Sequence, residues 1–352
     1  QLLKPAATKT HIFLVASGAS PDARIVSGLG PDTTLNLRVS SVNWDTMTNK
    51  KDSNYLLVDK ATLIYMAALS LVILIFHANL SNWITYIAFN LGICVAVVLM
   101  AHGLNHKASQ WTFFFRHWYP LLFFILLYEE TRHLVHLIFP QIFDPLINRL
   151  EMALFGVYPT VWMQKFICLG LNEYLMFSYC FYYFLLAVLG VGLFFSNKIK
   201  EFDDLLFTSA VAFYISYLGF LFFPVEGPRF ALASIHQVEI NGGFFTSLAQ
   251  GLIGIAGIQG AAMPSSHVAV ALVVVVYARR HHRLLYYLLS PLVASLLVAT
   301  VYGRFHYVSD VVAGLLVGVG SILLCDRLLK KSTMPSQEMV EKEISLDLAR
   351  SD

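Results

Sequence analysis

From residue 56 onward the chain alternates between long apolar stretches and short polar connections. Most stretches approach the ~20 residues that a helix needs to cross the hydrocarbon core of a bilayer. Eight can be distinguished, at residues 56–77, 82–102, 118–139, 171–195, 204–223, 265–279, 284–302 and 309–328. The strict alternation of apolar and polar positions that marks membrane strands is absent. We therefore expect an all-α, polytopic transmembrane helix bundle of about eight spans.

The composition agrees with a membrane protein and argues against some partners. Hydrophobic residues make up 57% of the chain and charged residues 13%, about half of the ~25% that soluble domains carry. The net charge of +2 is too small for a nucleic-acid-binding surface, and the basic residues form short clusters between apolar stretches. The expected partner is therefore the bilayer, and no nucleic acid is expected.

The basic residues predict how the bundle is oriented in the membrane. Eight spans would place ten of them on one side: Lys107, Arg116, Lys198, Lys200, Arg279, Arg280, Arg283, Arg327, Lys330 and Lys331. The other side would hold four: Arg149, Lys165, Arg229 and Arg304. Because cytoplasmic connections are enriched in Lys and Arg, both termini are expected in the cytoplasm. A plasma (inner) membrane location is expected.

Three polar motifs lie at the ends of apolar stretches, all on the predicted extracytoplasmic side. They read Gly-Pro-Arg at 227–229, Pro-Ser-Ser-His at 264–267 and Gly-Arg-Phe-His-Tyr-Val-Ser-Asp at 303–310. Arginine guanidinium groups suit phosphate because they are permanently charged and bind it with paired hydrogen bonds. A helix that begins after 264–267 would add free backbone N–H groups and partial positive charge. These features together predict a phosphate site.

The three motifs resemble those of the type-2 phosphatidic acid phosphatase and vanadium haloperoxidase superfamily, in its integral-membrane branch. The resemblance covers roughly residues 120–330. The first motif here has Arg229 alone, and Thr300 stands where the third-motif arginine usually lies. Arg304, two residues before His306, is the expected substitute. That arrangement is similar to inositol phosphorylceramide synthase-like proteins.

The resemblance implies a role for each motif residue. His306 would be the nucleophile and form a phosphohistidine, Asp310 would orient it, and His267 would be the general acid for the leaving oxygen. Phosphate would be bound by Arg229, Arg304, Ser265 and Ser266, where either serine can also cap the helix that follows. This arrangement requires no metal and no cofactor.

The same reading divides the chain into four parts. Residues 1–54 are expected to be a polar, disordered N-terminal segment, of which 1–46 could be an upstream extension because Met47 resembles a translation start. Residues 55–116 would hold two N-terminal transmembrane helices, and 117–331 the phosphatase- or phosphotransferase-like core, with a six-helix-type arrangement. Residues 332–352 would form a charged cytoplasmic tail.

The third apolar stretch carries a second group of polar residues. Glu129, Arg132, His133 and His136 have the spacing of one helical face. Because charge is costly in the bilayer, we expect this face to turn into the bundle. It could be a self-neutralised Glu–Arg pair that ties helices together, or a pocket for a substrate headgroup or second substrate. A metal site is disfavoured because the arginine would repel the ion.

Two further segments carry weaker signals. The aromatic-rich fourth span is expected to face lipid and pack against neighbours rather than bind a ligand. The connection at 144–162 is expected to be an interfacial segment.

The function expected from these residues is cleavage of a lipid-linked phosphate ester, of the phosphatidate or polyprenyl phosphate or diphosphate type, at the extracytoplasmic face. If an alcohol rather than water resolves the intermediate, the protein would be a phosphotransferase of the inositol phosphorylceramide synthase type. A non-enzymatic transporter or scaffold is a third possibility, in which the face at 129–136 would mark a translocation path.

Overall fold

The computed structural model describes residues 54–104 and 109–333, with side chains as far as Lys330. Throughout these ranges the chain is helical and contains no strand, which confirms the all-α prediction. The predictions for residues 1–53 and for the tail beyond residue 333 lie outside the described residues.

The helices follow one another along the chain with short connections. In order they are α1 (Leu57–Ile75), α2 (Trp83–Gly103), α3 (Gln110–Trp118), α4 (Pro120–Leu134), α5 (Asp144–Phe155), α6 (Pro159–Trp162), α7 (Leu169–Phe194), α8 (Ile199–Phe222), α9 (Pro228–Ala231), α10 (Phe244–Ala256), α11 (Ser266–His281), α12 (Arg283–Tyr302) and α13 (Val308–Thr333).

Within the described ranges, six helices are long and apolar enough to cross a bilayer: α1, α2, α7, α8, α12 and α13. The chain is therefore a multi-pass membrane protein. The third and sixth predicted spans correspond to the shorter helices α4 and α11, of 15 and 16 residues. A 16-residue helix is only about 24 Å long. Helix α11 packs against α8, α12 and α13, so protein rather than lipid covers most of it.

Helix α11 forms the centre of the core, and small residues bring α13 close to it. Val268, Ala269 and Val273 are fully buried. A Cβ atom added at Gly314 of α13 would lie 2.4 Å from the carbonyl oxygen of Ser265, and one added at Gly318 would lie 2.8 Å from that of Ala269. These approaches leave no room for a side chain, so the starts of α11 and α13 lie side by side.

A buried ion pair between Asp59 and Arg116 joins α1 to α3, at the end of the bundle opposite the starts of α11 and α13. Asp59, which is fully buried, accepts a hydrogen bond from the backbone N–H of Leu56 at the start of α1. The same carboxylate accepts one from Arg116 of α3 at 3.2 Å and another from the Tyr119 hydroxyl. Because both charges are buried, removing either partner would leave an uncompensated charge.

The glycine packing can be tested with a matched pair of substitutions in α13. We expect Gly314→Ala to destabilise the protein by about 1–3 kcal/mol, because its methyl group would overlap the backbone of α11. Gly320→Ala is the control: a Cβ there meets nothing within 4 Å, and alanine is favoured over glycine in helices. Unfolding in detergent, followed by circular dichroism, measures both. Equal stabilities for the two variants would contradict the close packing.

Candidate active site

Three connections meet at one end of the bundle, and backbone hydrogen bonds join them. The N–H of Val225 donates to the carbonyl of Gly260 at 3.0 Å, and the N–H of Ala262 donates to the carbonyl of Val225 at 2.8 Å. These bonds join the residues just before the first motif to those just before the second. The N–H of Ser265 donates to the carbonyl of Asp310 at 3.1 Å, which joins the second motif to the third. The convergence predicted from the sequence is therefore present.

The two motif histidines face each other where these connections meet. His267 lies in the first turn of α11 and His306 in the turn before α13, and their ring centroids are 5.6 Å apart. Both line a cavity of about 90 Å³ together with Arg229. One cavity therefore holds two proton-transferring or nucleophilic groups and a cation.

Asp310 lies next to His306 and is not itself one of the residues that line this cavity. Its carboxylate is fully buried and 3.5 Å from the imidazole Nδ1, and the backbone N–H of Tyr307 donates to the same carboxylate oxygen at 2.8 Å. The Nε2 atom of His306 is therefore the nitrogen remote from the carboxylate. Burial lowers the pKa of His306 to about 4 from an ordinary value of 6.5, so its imidazole is neutral at physiological pH.

Arg229 is presented to the cavity by a tight turn. Gly227 has φ of +95°, and a Cβ atom there would lie 2.9 Å from the carbonyl oxygen of Phe305, so glycine is required by both conformation and space. Pro228 then begins the short helix α9 that carries Arg229. In the part of the chain that the structure describes, the guanidinium makes no hydrogen bond or ion pair. An unpaired cation beside two histidines is suited to an anionic ligand.

Comparison with known proteins identifies the family. The family model described as the PAP2 superfamily matches residues 146–324, which is 179 of the 352 residues and includes all three motifs. The chain belongs to the PAP2 superfamily. No curated protein and no solved structure gives a significant match.

In this PAP2 superfamily protein, Arg304 does not lie with the other motif residues. It follows α12 in the left-handed conformation, with φ of +65°. Its side chain turns toward the 236–241 connection, where it donates to the carbonyl of Val238 and, at 3.5 Å, to Gln164. Arg304 lines neither the cavity of the two histidines nor a larger cavity beside it. The structure therefore does not bring Arg304 together with Arg229. Its phosphate-binding role stays a prediction.

The two serines of the second motif support the start of α11. Ser265 is the N-cap, and its hydroxyl accepts a hydrogen bond from the N–H of Val268 at 3.5 Å, which confirms the predicted cap. Ser266 is the first residue of the helix and is also buried. Neither serine lines the cavity, so their contribution to phosphate binding stays a prediction.

Tyrosines of α7 surround His267, which agrees with the expected packing against neighbours but not with a lipid-facing position for Tyr179. Tyr179 stacks on the imidazole with a centroid distance of 5.4 Å and Tyr182 approaches to 4.4 Å. Tyr179 and Tyr183 also line the cavity. Their spacing of three and four residues puts them on one helical face, a signal that the sequence contained. Other aromatic residues, such as Phe184, do point outward.

Helix α5 supplies two buried carboxylates that the sequence analysis missed. Asp144 accepts hydrogen bonds from the N–H groups of Glu226 and Gly227 at 2.8 and 2.9 Å, and from the hydroxyl of Tyr307 at 3.0 Å. Glu151 accepts from the N–H of Ser309 at 2.9 Å. The two are seven residues apart and so share a face. They hold the first and third motifs in place, so this segment does more than lie at the interface.

The polar face of α4 was expected to turn into the bundle, and this expectation was wrong. Glu129 is 54% exposed, and His133 and His136 are exposed. The inward carboxylate is instead Glu130, which is 6% exposed. With the Asn90 amide in the orientation that satisfies both its oxygen and its nitrogen, Glu130 accepts a hydrogen bond from it at 2.8 Å. The polar face lies at the end of α4 nearest the motifs, where it borders a cavity and does not require burial.

Arg132 on this face is held by the protein. It forms an ion pair with Glu129 at 2.6 Å and donates to the carbonyls of Gly257 and Ile255 at 2.9 and 3.2 Å. These contacts fasten α4 to the C-terminal end of α10, as in the tie proposed from the sequence. Arg132 and His136 nevertheless line a second cavity, of about 510 Å³, whose wall also includes Arg229. His133 does not line it.

The described residues contain no group of three His, Cys, Asp or Glu side chains arranged to hold a metal ion. The ionisable side chains that line the smaller cavity include two imidazoles and a guanidinium, which can bind an anion, attack as a nucleophile and transfer protons.

The lowered pKa of His306 predicts the acid side of the pH profile. If His306 is the nucleophile, as the resemblance implies, its neutral form is the active one, so activity is lost as pH falls through the lowered pKa. For a phosphodiester substrate that does not itself titrate in this range, the acid limb of kcat/KM is expected near pH 4. An acid limb near 6.5 would contradict the burial of this imidazole.

Proposed function

We propose that this protein cleaves a lipid-linked phosphate ester, of the phosphatidate or polyprenyl phosphate or diphosphate type, through a phosphohistidine. The observation that carries the proposal is the cavity lined by Arg229, His267 and His306. An unpaired guanidinium, a neutral imidazole backed by a buried carboxylate and a second imidazole are the groups that phosphoryl transfer requires. Membership in the PAP2 superfamily supports a phosphatase or phosphotransferase.

In the first step, Nε2 of His306 attacks the phosphorus atom. A P–N bond forms while the bond from phosphorus to the lipid oxygen breaks, and His267 donates a proton to that oxygen. Arg229 offsets the charge on the phosphoryl oxygens. Asp310, 3.5 Å from Nδ1, stabilises the positive charge that develops on the His306 ring. Among the residues that the structure describes, no carboxylate pairs with His267, so the bound phosphate is the anion that favours its protonated form.

In the second step, the P–N bond breaks as water attacks phosphorus. His267, neutral after the first step, accepts the proton of the water, and inorganic phosphate leaves. Both histidines then regain their starting protonation states. If an alcohol takes the place of water, the phosphoryl group moves to that alcohol. The single Arg229 and the position of Arg304 are similar to the inositol phosphorylceramide synthase-like branch and favour this second candidate.

The location of the cavity suits a substrate anchored in lipid. It lies at one end of the bundle beside the larger cavity, and Phe230, which lines both, is 44% exposed. A headgroup can therefore enter while its chains stay in the bilayer. The charge distribution of the connections supports an extracytoplasmic site with cytoplasmic termini, and the membrane that we propose is the plasma (inner) membrane.

The decisive test is the release of phosphate from phosphatidate and polyprenyl diphosphate by detergent-purified protein in excess chelator. We expect His306→Ala to abolish release and Arg229→Gln to lower kcat/KM by about 10²–10³, because an electrostatic contact to the reacting group is lost. Arg283→Gln, at the opposite end of α12 from the site, is the matched arginine control and should behave as wild type.

The outcome distinguishes the alternatives. Full release by His306→Ala would overturn the phosphohistidine mechanism. The phosphotransferase would be established by two results together. No form of the protein releases phosphate, and labelled phosphate passes from a donor lipid to an alcohol only when His306 is present. A transporter or scaffold predicts instead that His306→Ala keeps function and Glu129→Ala loses it. The pairing of Glu129 with Arg132 at an exposed surface does not favour that path.

A further inference from the structure

Glu226 is an acidic residue in the wall of the cavity that holds the phosphate-site residues. It lines the cavity with Arg229, His267 and His306. A carboxylate repels a bound phosphate, so its presence there is unfavourable unless it faces a positively charged or hydrogen-bond-donating group of the ligand. The motif histidines and Arg229 account for phosphate binding and chemistry, and they leave Glu226 without a role.

The Glu226 carboxylate is also not used to hold the protein together. Across residues 54–104 and 109–330 it makes no hydrogen bond or ion pair, and it is not paired with Arg229 three residues away. Its backbone, by contrast, is held firmly, because the N–H groups of Glu226 and Gly227 both donate to Asp144. The turn therefore presents an unpaired carboxylate and an unpaired guanidinium group to one cavity.

Aromatic rings form much of the remaining wall. They are Tyr128, Tyr179, Tyr183, Phe230 and Phe305. The faces of aromatic rings attract cations, and ammonium groups are bound by rings together with a carboxylate. Arg229 and Glu226 thus provide opposite charges on one turn, within an aromatic enclosure, which matches a ligand that carries both a phosphate and an ammonium group.

Building on the proposed function, we propose that Glu226 and the surrounding rings bind an ammonium group carried close to the phosphate of the substrate. The substrate class is then a zwitterionic amino-alcohol phosphate ester. The amine could belong to the headgroup of a phospholipid diester or to a long-chain amino alcohol whose phosphate is cleaved. A polyol hydroxyl group is a weaker match for Glu226. A neutral amide side chain at this position would bind a hydroxyl group equally well and would not repel the phosphate.

Two soluble phosphates that differ in one group test the proposal. O-Phosphoethanolamine carries the ammonium group, and in 2-hydroxyethyl phosphate a neutral hydroxyl group replaces it. Isothermal titration calorimetry on the detergent-purified protein gives both dissociation constants. We expect wild type to bind phosphoethanolamine about tenfold more tightly, and Glu226→Gln to bring this ratio close to one. Equal binding by wild type, or a ratio kept by Glu226→Gln, would overturn the inference.

The wild-type ratio does not depend on how the variant folds, and Arg229→Gln separates this inference from the function on which it rests. If Arg229→Gln binds both compounds as wild type does, the phosphate site itself is refuted. If Arg229→Gln binds both compounds more weakly than wild type does, and wild type binds the two compounds equally, only the ammonium site is refuted.

Two lipid pairs then distinguish the sources of the amine. Phosphatidylethanolamine is compared with phosphatidylglycerol, and a long-chain amino-alcohol phosphate with its N-acetyl derivative. A Glu226-dependent preference for the amine in the first pair identifies a headgroup amine, and in the second pair a long-chain amine. Absence of preference in both pairs would overturn the proposal.

Discussion

One buried carboxylate, that of Asp144, holds together connections that are far apart in the chain. It accepts hydrogen bonds from the turn at Glu226 and Gly227, 82 and 83 residues away, and from Tyr307, 163 residues away. The two N–H groups are in a tight turn where no helix or strand supplies a partner, and buried backbone donors are costly when unpaired. The position of Arg229 relative to His306 depends on this acceptor.

The apolar bundle provides the rigid frame for the polar end. Helices α11 and α13 approach so closely at Gly314 and Gly318 that their first turns lie side by side, which places His267 near His306. Small residues allow this because packing in a bilayer depends on close contact rather than on excluding water. Ionisable motif residues are confined to the ends of helices, where the cost of charge is lower.

The sequence predicted the helical class and the convergence of the three motifs, because apolar length and the order of motifs along the chain determine which helix ends can meet. It also predicted that Ser265 or Ser266 caps α11, because serine is favoured just before a helix begins, and Ser265 is the cap. It did not predict the orientation of α4, since spacing shows which residues share a face but not where the face points. Arg132 turns to carbonyls more than 120 residues away, and no local pattern encodes such partners.

Other differences between the sequence-based predictions and the structure also arise from contacts between residues that are far apart in the chain. Arg304 is drawn to Val238 and Gln164 by the left-handed turn that ends α12, a conformation that a local motif does not reveal. Tyr179 and Tyr182 were expected among lipid-facing aromatics because α7 is apolar nearly all round, and only the packing shows which rings meet His267. Asp144 and Glu151 have regular helical spacing, but most of their partners are backbone N–H groups, which carry no sequence signal.

The central claim is that His306 carries the phosphoryl group during turnover. Rapid acid-free quenching of the protein with a phosphate-labelled lipid, followed by peptide mass spectrometry, tests it directly. A phosphohistidine mechanism predicts an acid-labile phosphoryl or phospho-headgroup adduct on His306, which is absent in His306→Ala. Turnover with the label on another residue, or with no covalent adduct in any form, would contradict it.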